Sequence, residues 1–173
     1  MALKTFKSYT KSTRGTVLVD RKNLWKGKPL KSLTIGSHST GGRNNLGRIT
    51  SRHKGAGHKQ KYRQIDFYRK KDDIKAKIER IEYDPNRTAY LALIKYDDGV
   101  LNYILAPNSL KIGDEVISGR NKEIKIGNCM PLSDIPAGTN IHNIELAANG
   151  GAKLVRSAGS SAQISGLDEN YCI

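Results

Sequence analysis

The alternation of apolar and polar residues predicts a series of short β-strands joined by turns, and the pattern is clearest in the middle of the chain. Residues 88–96 (TAYLALIKY) and 100–105 (VLNYIL) are apolar runs rich in β-branched and aromatic side chains, which favour strands. The sequence DDG at residues 97–99 separates the two runs and predicts a β-hairpin. The sequence DPNR at residues 84–87 predicts another turn just before this hairpin.

Residues 74–83 also read as a strand, but their apolar phase changes part of the way along. Apolar residues alternate with lysine over residues 74–78, and the apolar phase then shifts to Ile81 and Tyr83. A β-bulge near Glu79 and Arg80 would account for the shift, because a bulge inserts one extra residue into a strand. A helix over the same residues is the competing interpretation, which their β-branched content disfavours.

Shorter apolar units follow Gly119, with turn residues between them. They cover residues 124–126, 130–132, 135–139, 141–146, 152–156 and 161–164. Short strands at this spacing predict small β-barrels, so the chain belongs to the mostly β class. The roughly 50 residues after Gly119 are marginal for an independent barrel. We therefore expect the second barrel to be incomplete, or to be completed by a second chain.

Composition adds a strong asymmetry of charge to this picture. The chain of 173 residues has a net charge of +14, and residues 1–75 hold 20 Lys and Arg against 4 Asp and Glu. Residues 76–173 hold 10 against 12, so a basic arm precedes a nearly neutral globular part. No apolar run is long enough for a transmembrane helix, and the N-terminus lacks the apolar core of a secretory signal. It is basic and free of acids up to Asp20, as a transit peptide would also be.

The densest positive charge lies in residues 41–71, which hold ten Lys and Arg, two His and one acid among several glycines. Such a segment cannot bury enough apolar surface to offset the entropy of ordering it. We expect it to stay disordered until a polyanion orders it, and nucleic acid supplies the phosphates that arginine and lysine bind. A flexible solubilising tail is the alternative.

Candidate catalytic and metal sites are few. His53 and His58 lie in the basic segment without a nearby cysteine, so base stacking or phosphate contact is a better interpretation than zinc binding, with solvent exposure as the alternative. His142 is expected to be a structural or RNA-facing histidine. The two cysteines lie far apart, which fits a reducing compartment, and Cys129 reads as a small buried residue. No spacing typical of a catalytic motif occurs, which predicts a protein that is not an enzyme.

Aromatic residues alternate with basic ones over residues 62–70. Tyr62, Phe67 and Tyr68 could stack on unpaired bases. The alternative is that Phe67 and one tyrosine cap the first barrel.

Five segments resemble motifs of the bacterial-type ribosomal protein L2 family, the universal rRNA-binding proteins of the large ribosomal subunit. The resemblance is collinear from about Leu24 to Ile164 and is carried by GGRNNLGRITSRHKGAGHKQKYR (41–63), EYDPNRTAYLALIKY (82–96), YILAP (103–107), IPAGTNIHNIEL (135–146) and RSAG (156–159). It implies a basic extended rRNA-binding arm over residues 1–60, a five-stranded OB-fold barrel over 61–122 and the N-terminal part of an incomplete SH3-like barrel over 123–173.

The resemblance also implies a function and its binding residues. The chain would be a structural constituent of the ribosome that binds large-subunit rRNA near the peptidyl transferase region, beside other large-subunit proteins and away from membranes. It would need no cofactor, and any structural Mg²⁺ would be held by the RNA. Bacterial cytoplasm and an organelle matrix, such as the mitochondrial one, both fit. The positions expected to contact RNA are Arg43, Asn44, Asn45, Arg48, Arg52, His53, Lys54, His58, Lys59, Lys61, Arg63, Arg69, Lys70, Arg87 and Arg156.

Two departures from the family pattern qualify these expectations. Residues 147–151 read AANGG where the family usually has a basic turn, so one RNA contact is expected to be weaker there. Family members also continue for roughly a hundred further residues, which include the histidine discussed in connection with peptide-bond formation. We assign no such role here and expect a separately encoded chain to supply the missing half. The alternative function is an OB-fold RNA chaperone, or an accessory module of a nucleic-acid enzyme, outside the ribosome.

Overall fold

The computed structural model describes residues 3–55, 57–168 and 171–173, so residues 1, 2 and 56 of the predicted arm and residues 169 and 170 of the predicted second barrel lie outside it. The described residues confirm a mostly β fold. They form short strands and two single turns of 3₁₀ helix, at Lys31–Leu33 and Leu132–Asp134. The strands are β1 (Leu3–Thr5), β2 (Val17–Val19), β3 (Thr34–Gly36), β4 (Lys61–Arg63), β5 (Ala76–Glu82), β6 (Leu91–Tyr96), β7 (Leu101–Leu105), β8 (Glu115–Val116), β9 (Asn140–Ile141), β10 (Ile144–Glu145), β11 (Ala152–Leu154) and β12 (Ala162–Gln163).

The centre of the fold is an antiparallel four-stranded sheet in the order β7-β6-β5-β8. Its middle strand β6 is buried on both faces, because successive side chains of a strand point to opposite sides. Ala92, Ile94 and Tyr96 enter one apolar cluster, and Leu91 and Leu93 enter the other. This two-sided burial explains why the sequence of β6 is a continuous apolar run.

The predicted bulge and turn are both present in this sheet. Ile78 pairs with Ile94 and Arg80 pairs with Leu93, so Glu79 is the extra residue of a bulge in β5. The turn between β6 and β7 is closed by Gly99, whose N–H donates to the Tyr96 carbonyl at 2.8 Å, and its φ of 84° suits glycine. The strands themselves begin later than predicted, at residues 91 and 101.

Segments before β5 contact both edges of the sheet. Ile65 forms a parallel bridge with Tyr103, and Trp25 forms one with Glu82. Leu30 and Leu33 pack on the cluster that contains Leu91 and Tyr103. The hydrogen-bonded sheet has four strands where five were expected, and the two isolated bridges add single residues at its opposite edges, on β7 and on β5. The curled sheet with its closing segments is consistent with an OB-fold.

A buried tyrosine connects the basic arm to this sheet through a hydrogen bond. The Tyr103 hydroxyl accepts a hydrogen bond from the Leu30 N–H at 3.0 Å and donates one to the Glu82 carboxylate at 2.9 Å. Burial raises the pKa of the Tyr103 phenol, which keeps the donated proton in place. Part of the predicted arm is therefore packed on the barrel rather than extended from it.

Two small antiparallel pairs, β10 with β11 and β9 with β12, form the last part of the chain. They contact the first barrel through the Ala152 N–H, which donates to the Phe67 carbonyl at 3.0 Å. This arrangement is consistent with part of an SH3-like barrel. No strand forms at residues 124–126 or 130–132, which were predicted as strand units: Ile124 and Ile126 are exposed, and Pro131 cannot donate to a ladder.

The expectation that Cys129 is a small buried residue was wrong. Its backbone joins the end of the sheet, since its N–H donates to the Ile117 carbonyl at 3.1 Å and its carbonyl accepts from Gly119 at 3.0 Å. The residue as a whole is exposed, although partial burial of its side chain raises the pKa of the Cys129 thiol.

Candidate nucleic-acid interface

The most basic part of the chain contains a compact loop at residues 40–51, which we call the glycine knuckle. The Gly42 carbonyl accepts hydrogen bonds from the N–H groups of Thr50 and Ser51, at 2.9 and 3.1 Å. Gly42 has a φ of 74°, and a Cβ there would lie 2.2 Å from the Ser51 carbonyl oxygen. Only glycine fits this position. The structure thus differs from the expectation of a chain without local order, because hydrogen bonds replace the missing apolar core.

Asn44 shapes the tip of the glycine knuckle. Its side-chain oxygen accepts hydrogen bonds from the N–H groups of Leu46 and Arg48, both at 3.0 Å. Asparagine commonly stabilises turns in this way. Asn45, the neighbouring predicted contact, is exposed at the tip.

Most of the predicted cations of this region remain available to a partner. Six exposed cationic side chains form no ion pair within the described part of the chain: Arg43, Arg48, Arg52, Lys54, Lys59 and Lys61. His53 and His58 are also exposed, and His53 has a φ of 61°. The region is therefore a solvent-exposed, positively charged surface, which attracts polyanions.

A second group of predicted residues lines a cleft of about 490 Å³. Arg87 and Arg156 come from separate motifs and meet here, together with Tyr62, and the remaining lining residues are Asn86, Thr88 and Ser157. The Arg87 guanidinium lies 5.6 Å from the centre of the Tyr62 ring. Arg156 lies over Phe67 at 3.8 Å and donates to the Ala152 carbonyl at 3.4 Å. Two guanidinium groups, an aromatic ring and hydroxyl groups can together bind a phosphate and a base.

A buried carboxylate holds this cleft in shape. Asp84 has no exposed surface, and Arg87 donates to its Oδ2 atom at 2.6 Å. The Oδ1 atom accepts from the backbone and side chain of Asn86, at 2.9 and 3.0 Å, and lies 3.5 Å from Arg63. Asn86 also donates to the Lys61 carbonyl at 2.8 Å, which ties the cleft to β4.

Two predicted contacts, Arg63 and Arg69, bind groups of the protein itself: Arg63 is buried and Arg69 is partly buried. Arg63 is only 9% exposed and donates to the Lys61 carbonyl at 3.0 Å besides its pairing with Asp84. Arg69 donates to the Ser118 hydroxyl at 3.1 Å and to the Gly127 carbonyl at 3.3 Å. Their guanidinium groups are therefore largely engaged by the protein, and Arg69 links the first barrel to the segment that follows it.

His142 lies half-buried near Arg69. Burial lowers the pKa of the His142 imidazole, and the positive charge of Arg69 lowers it further. A neutral imidazole at this junction supports the structural interpretation of His142.

The aromatic residues of the 62–70 segment divide between two roles. Phe67 packs on the apolar cluster of the first barrel, as the capping alternative predicted. Tyr62 and Tyr68 are exposed, and the Lys70 ammonium lies 5.0 Å from the Tyr68 ring centre. Stacking on bases thus remains a prediction for the two tyrosines.

The sequence analysis missed one group of residues that the fold brings together. Trp25 is 49% exposed, and the Arg80 guanidinium lies 4.8 Å from its ring centre. Arg21 lies 3.6 Å from the ring centre of Tyr83 close to the same strand end. A lone tryptophan beside a Lys-Gly-Lys-Pro turn was the available signal, but its arginine partner lies 55 positions further along the chain.

The part of the chain that the structure describes offers neither a cluster of metal ligands nor a membrane-spanning helix. It contains no cluster of three His, Cys, Asp or Glu side chains able to hold a metal ion. No helix in the same residues has the length and apolar character needed to cross a membrane.

Comparison with known proteins identifies two matching domains. The family model described as "Ribosomal Proteins L2, RNA binding N-terminal domain" matches residues 30–118. The model described as "Ribosomal Proteins L2, C-terminal domain" matches residues 125–173.

Individual relatives align along the whole chain. Large ribosomal subunit protein uL2 of Pelagibacter ubique is 62% identical over 174 residues, which cover 100% of this chain and 62% of the relative. The uL2 proteins of Granulibacter bethesdensis and Rickettsia typhi are 64% and 61% identical over 171 residues, or 99% of this chain. These alignments cover 62% and 63% of the two relatives, so the chain spans less than two thirds of the length of the curated relatives it matches. On the strength of both domain matches, the chain belongs to the ribosomal protein L2 family.

Proposed function

We propose that this chain is a structural component of the large ribosomal subunit that binds and stabilises large-subunit rRNA. The observation that carries the proposal is the convergence of Arg87 and Arg156 on one cleft. Beside it, the exposed cations of residues 43–61 have no acidic partner among the residues that the structure describes. Membership of a family whose N-terminal domain is described as RNA-binding supports the same conclusion.

Binding would combine charge neutralisation with specific positioning. The cations of the glycine knuckle and of residues 52–61 would replace counterions along the RNA backbone, which supplies most of the affinity. In the cleft, the two guanidinium groups would hold a phosphate while Tyr62 stacks on a base. Arg63 and Arg69 would act indirectly, since both already bind protein groups. The remaining predicted positions, from Asn44 to Lys70, would contact the RNA directly.

The proposed domain limits assign RNA binding and barrel formation to successive segments of the chain. Residues 1–60 form the rRNA-binding arm, residues 61–122 the OB-fold barrel and residues 123–173 the N-terminal part of the SH3-like barrel. The arm would be anchored rather than free, since Leu30 is hydrogen-bonded to Tyr103.

Binding to rRNA is expected to be strongly dependent on salt. If six to ten phosphates are contacted, the affinity should fall by about 10³–10⁵-fold between ~50 and ~200 mM salt, because bound counterions are released on binding. Filter binding of the full chain to protein-free bacterial large-subunit rRNA measures this slope. An affinity that is independent of salt would contradict the proposal.

The alternative, an RNA chaperone or an accessory module of a nucleic-acid enzyme, predicts a different location in the cell. A ribosomal component co-sediments with large subunits at ~0.1 M salt, where charge interactions are still only partly screened. A free chaperone stays near the top of the gradient. We favour the ribosomal role and a protein without enzymatic activity, in a ribosome of either bacterial cytoplasm or an organelle.

Other large-subunit proteins are the expected neighbours, and we propose that further strands beyond those of the described residues complete the second barrel. In support, the last part of the chain pairs its strands only two by two and exposes several apolar side chains: Leu146, Leu154, Leu167, Tyr171 and Ile173. Small sheets of this kind need further strands for independent stability. Cross-linking from residues 164–173 in intact ribosomes should therefore recover polypeptide that resembles the remainder of uL2. Recovery of rRNA alone would contradict this proposal.

A further inference from the structure

Trp25 and Arg80 are not among the predicted RNA contacts. Trp25 is added to the edge of the central sheet, where its N–H donates to the Ile81 carbonyl at 2.8 Å. This backbone bond fixes the position of the residue, yet 49% of its surface stays exposed. An aromatic side chain whose backbone is fixed and whose ring is exposed to solvent is well suited to bind a ligand.

The structure around the indole holds it in one orientation. The Arg80 guanidinium lies 4.8 Å from the ring centre, and its Nε donates to Glu82 at 2.7 Å. Glu82 is only 3% exposed and is held in turn by the Tyr103 hydroxyl. Gly27 packs against the indole, where an added Cβ would lie 2.5 Å from the Trp25 Nε1 atom. The ring is therefore placed in advance, at a low entropic cost of binding.

The charge around the ring indicates the chemistry of the occupant. Five basic residues and one acid lie in residues 20–31, and that acid, Asp20, is 3.3 Å from Lys22. The second stack, of Arg21 on Tyr83, extends the same combination of guanidinium and aromatic ring. Flat aromatic rings flanked by cations bind the faces of unpaired bases while the cations meet the phosphates.

We infer that Trp25, backed by Arg80, is a stacking platform for an unpaired base of the bound rRNA, an inference that rests on the proposed function. It adds a second point of recognition, whose residues do not line the Arg87–Arg156 cleft. The favoured occupant is RNA rather than a neighbouring protein, because five of the six charged residues in the flanking segment 20–31 are cationic.

Trp25 is the only tryptophan of the chain, so its fluorescence reports on this site alone. When the full chain binds protein-free bacterial large-subunit rRNA, we expect quenching of the emission and a several-fold decrease in the acrylamide quenching constant. Trp25→Ala should weaken binding by about 5- to 150-fold, the equivalent of one base stack. The dependence on salt should not change, since no phosphate contact is lost.

Two further variants separate stacking from a general loss of structure. Gly27→Ala should displace the indole and weaken binding, whereas Gly15→Ala, which has open space around it, should bind as the unmodified chain does. Trp25→Phe should restore part of the affinity that Trp25→Ala loses.

If the chain binds rRNA with the expected salt dependence while Trp25 stays as accessible to acrylamide as in the free protein, the stacking platform is overturned and the proposed function stands. If filter binding detects no complex, the proposed function itself fails. Protection that arises only after large-subunit proteins are added would overturn the RNA assignment in favour of a protein contact.

Discussion

Replacing Asp84 with alanine is expected to lower the free energy of unfolding by about 3–5 kcal/mol, the usual cost of removing one partner from a buried ion pair. Asp84 is fully buried and accepts hydrogen bonds from Asn86 and Arg87, with Arg63 at 3.5 Å. Without the carboxylate, the guanidinium of Arg63, a residue only 9% exposed, would keep its positive charge without a counterion. The net result should be one of the largest effects of any single substitution in the chain.

The same substitution should also weaken RNA binding, because Arg87 would lose the contact of 2.6 Å that aims it into the cleft. Urea unfolding followed by circular dichroism measures the first effect, and filter binding below the unfolding transition measures the second. Asp97→Ala is the matched control: Asp97 is exposed in the β6–β7 turn, and its replacement should change stability by less than about 0.5 kcal/mol. Equal stability of the two variants would show that Asp84 does not hold the cleft together.

Reversing the charges of Arg43, Arg48 and Arg52 together is expected to abolish incorporation into the large subunit. These side chains are exposed and have no acidic partners among the described residues, so their charge is available to RNA. Each lost phosphate contact should reduce the slope of log affinity against log salt by about 1. Glutamate in their place would in addition repel the phosphates.

The fold should survive this triple change. The glycine knuckle is closed by the Gly42 carbonyl and the Asn44 side chain, which remain. A control with the same change in net charge is the reversal of Lys77, Lys95 and Lys111, three exposed lysines of the nearly neutral part. Sedimentation of the tagged chains with large subunits compares the two variants. If the Arg43, Arg48 and Arg52 variant is incorporated at the normal level, the basic segment is not the main rRNA contact.

The central hairpin and the bulge could be predicted from sequence because their signals are local. The turn residues 97–99 and the shift of phase after Ile78 lie within the elements that they define. The continuous apolar run of β6 likewise indicates burial on both faces, because a strand with apolar neighbours on each side has no polar positions.

The roles of individual arginines could not be predicted in the same way. Arg63 and Arg87 both belong to basic motifs, but Arg63 is buried and Arg87 lines a cleft. Their different positions depend on Asp84, which lies 21 positions after Arg63. Arg69 likewise reaches Ser118, which is 49 positions away. Sequence reasoning finds the charge of a segment, whereas the partner of each side chain depends on contacts distant in the chain.

The contact between Leu30 and Tyr103 has a consequence for the order in which the chain is made. The two residues are 73 positions apart, so the basic arm leaves the synthesising ribosome long before its anchor exists. At about 5–20 residues per second, that interval is about 4–15 s. During it, the positively charged arm emerges as a nascent chain with no complete barrel to pack on, beside the rRNA of the ribosome that is making it. The arm therefore becomes available to RNA before its anchor on β7 has been synthesised.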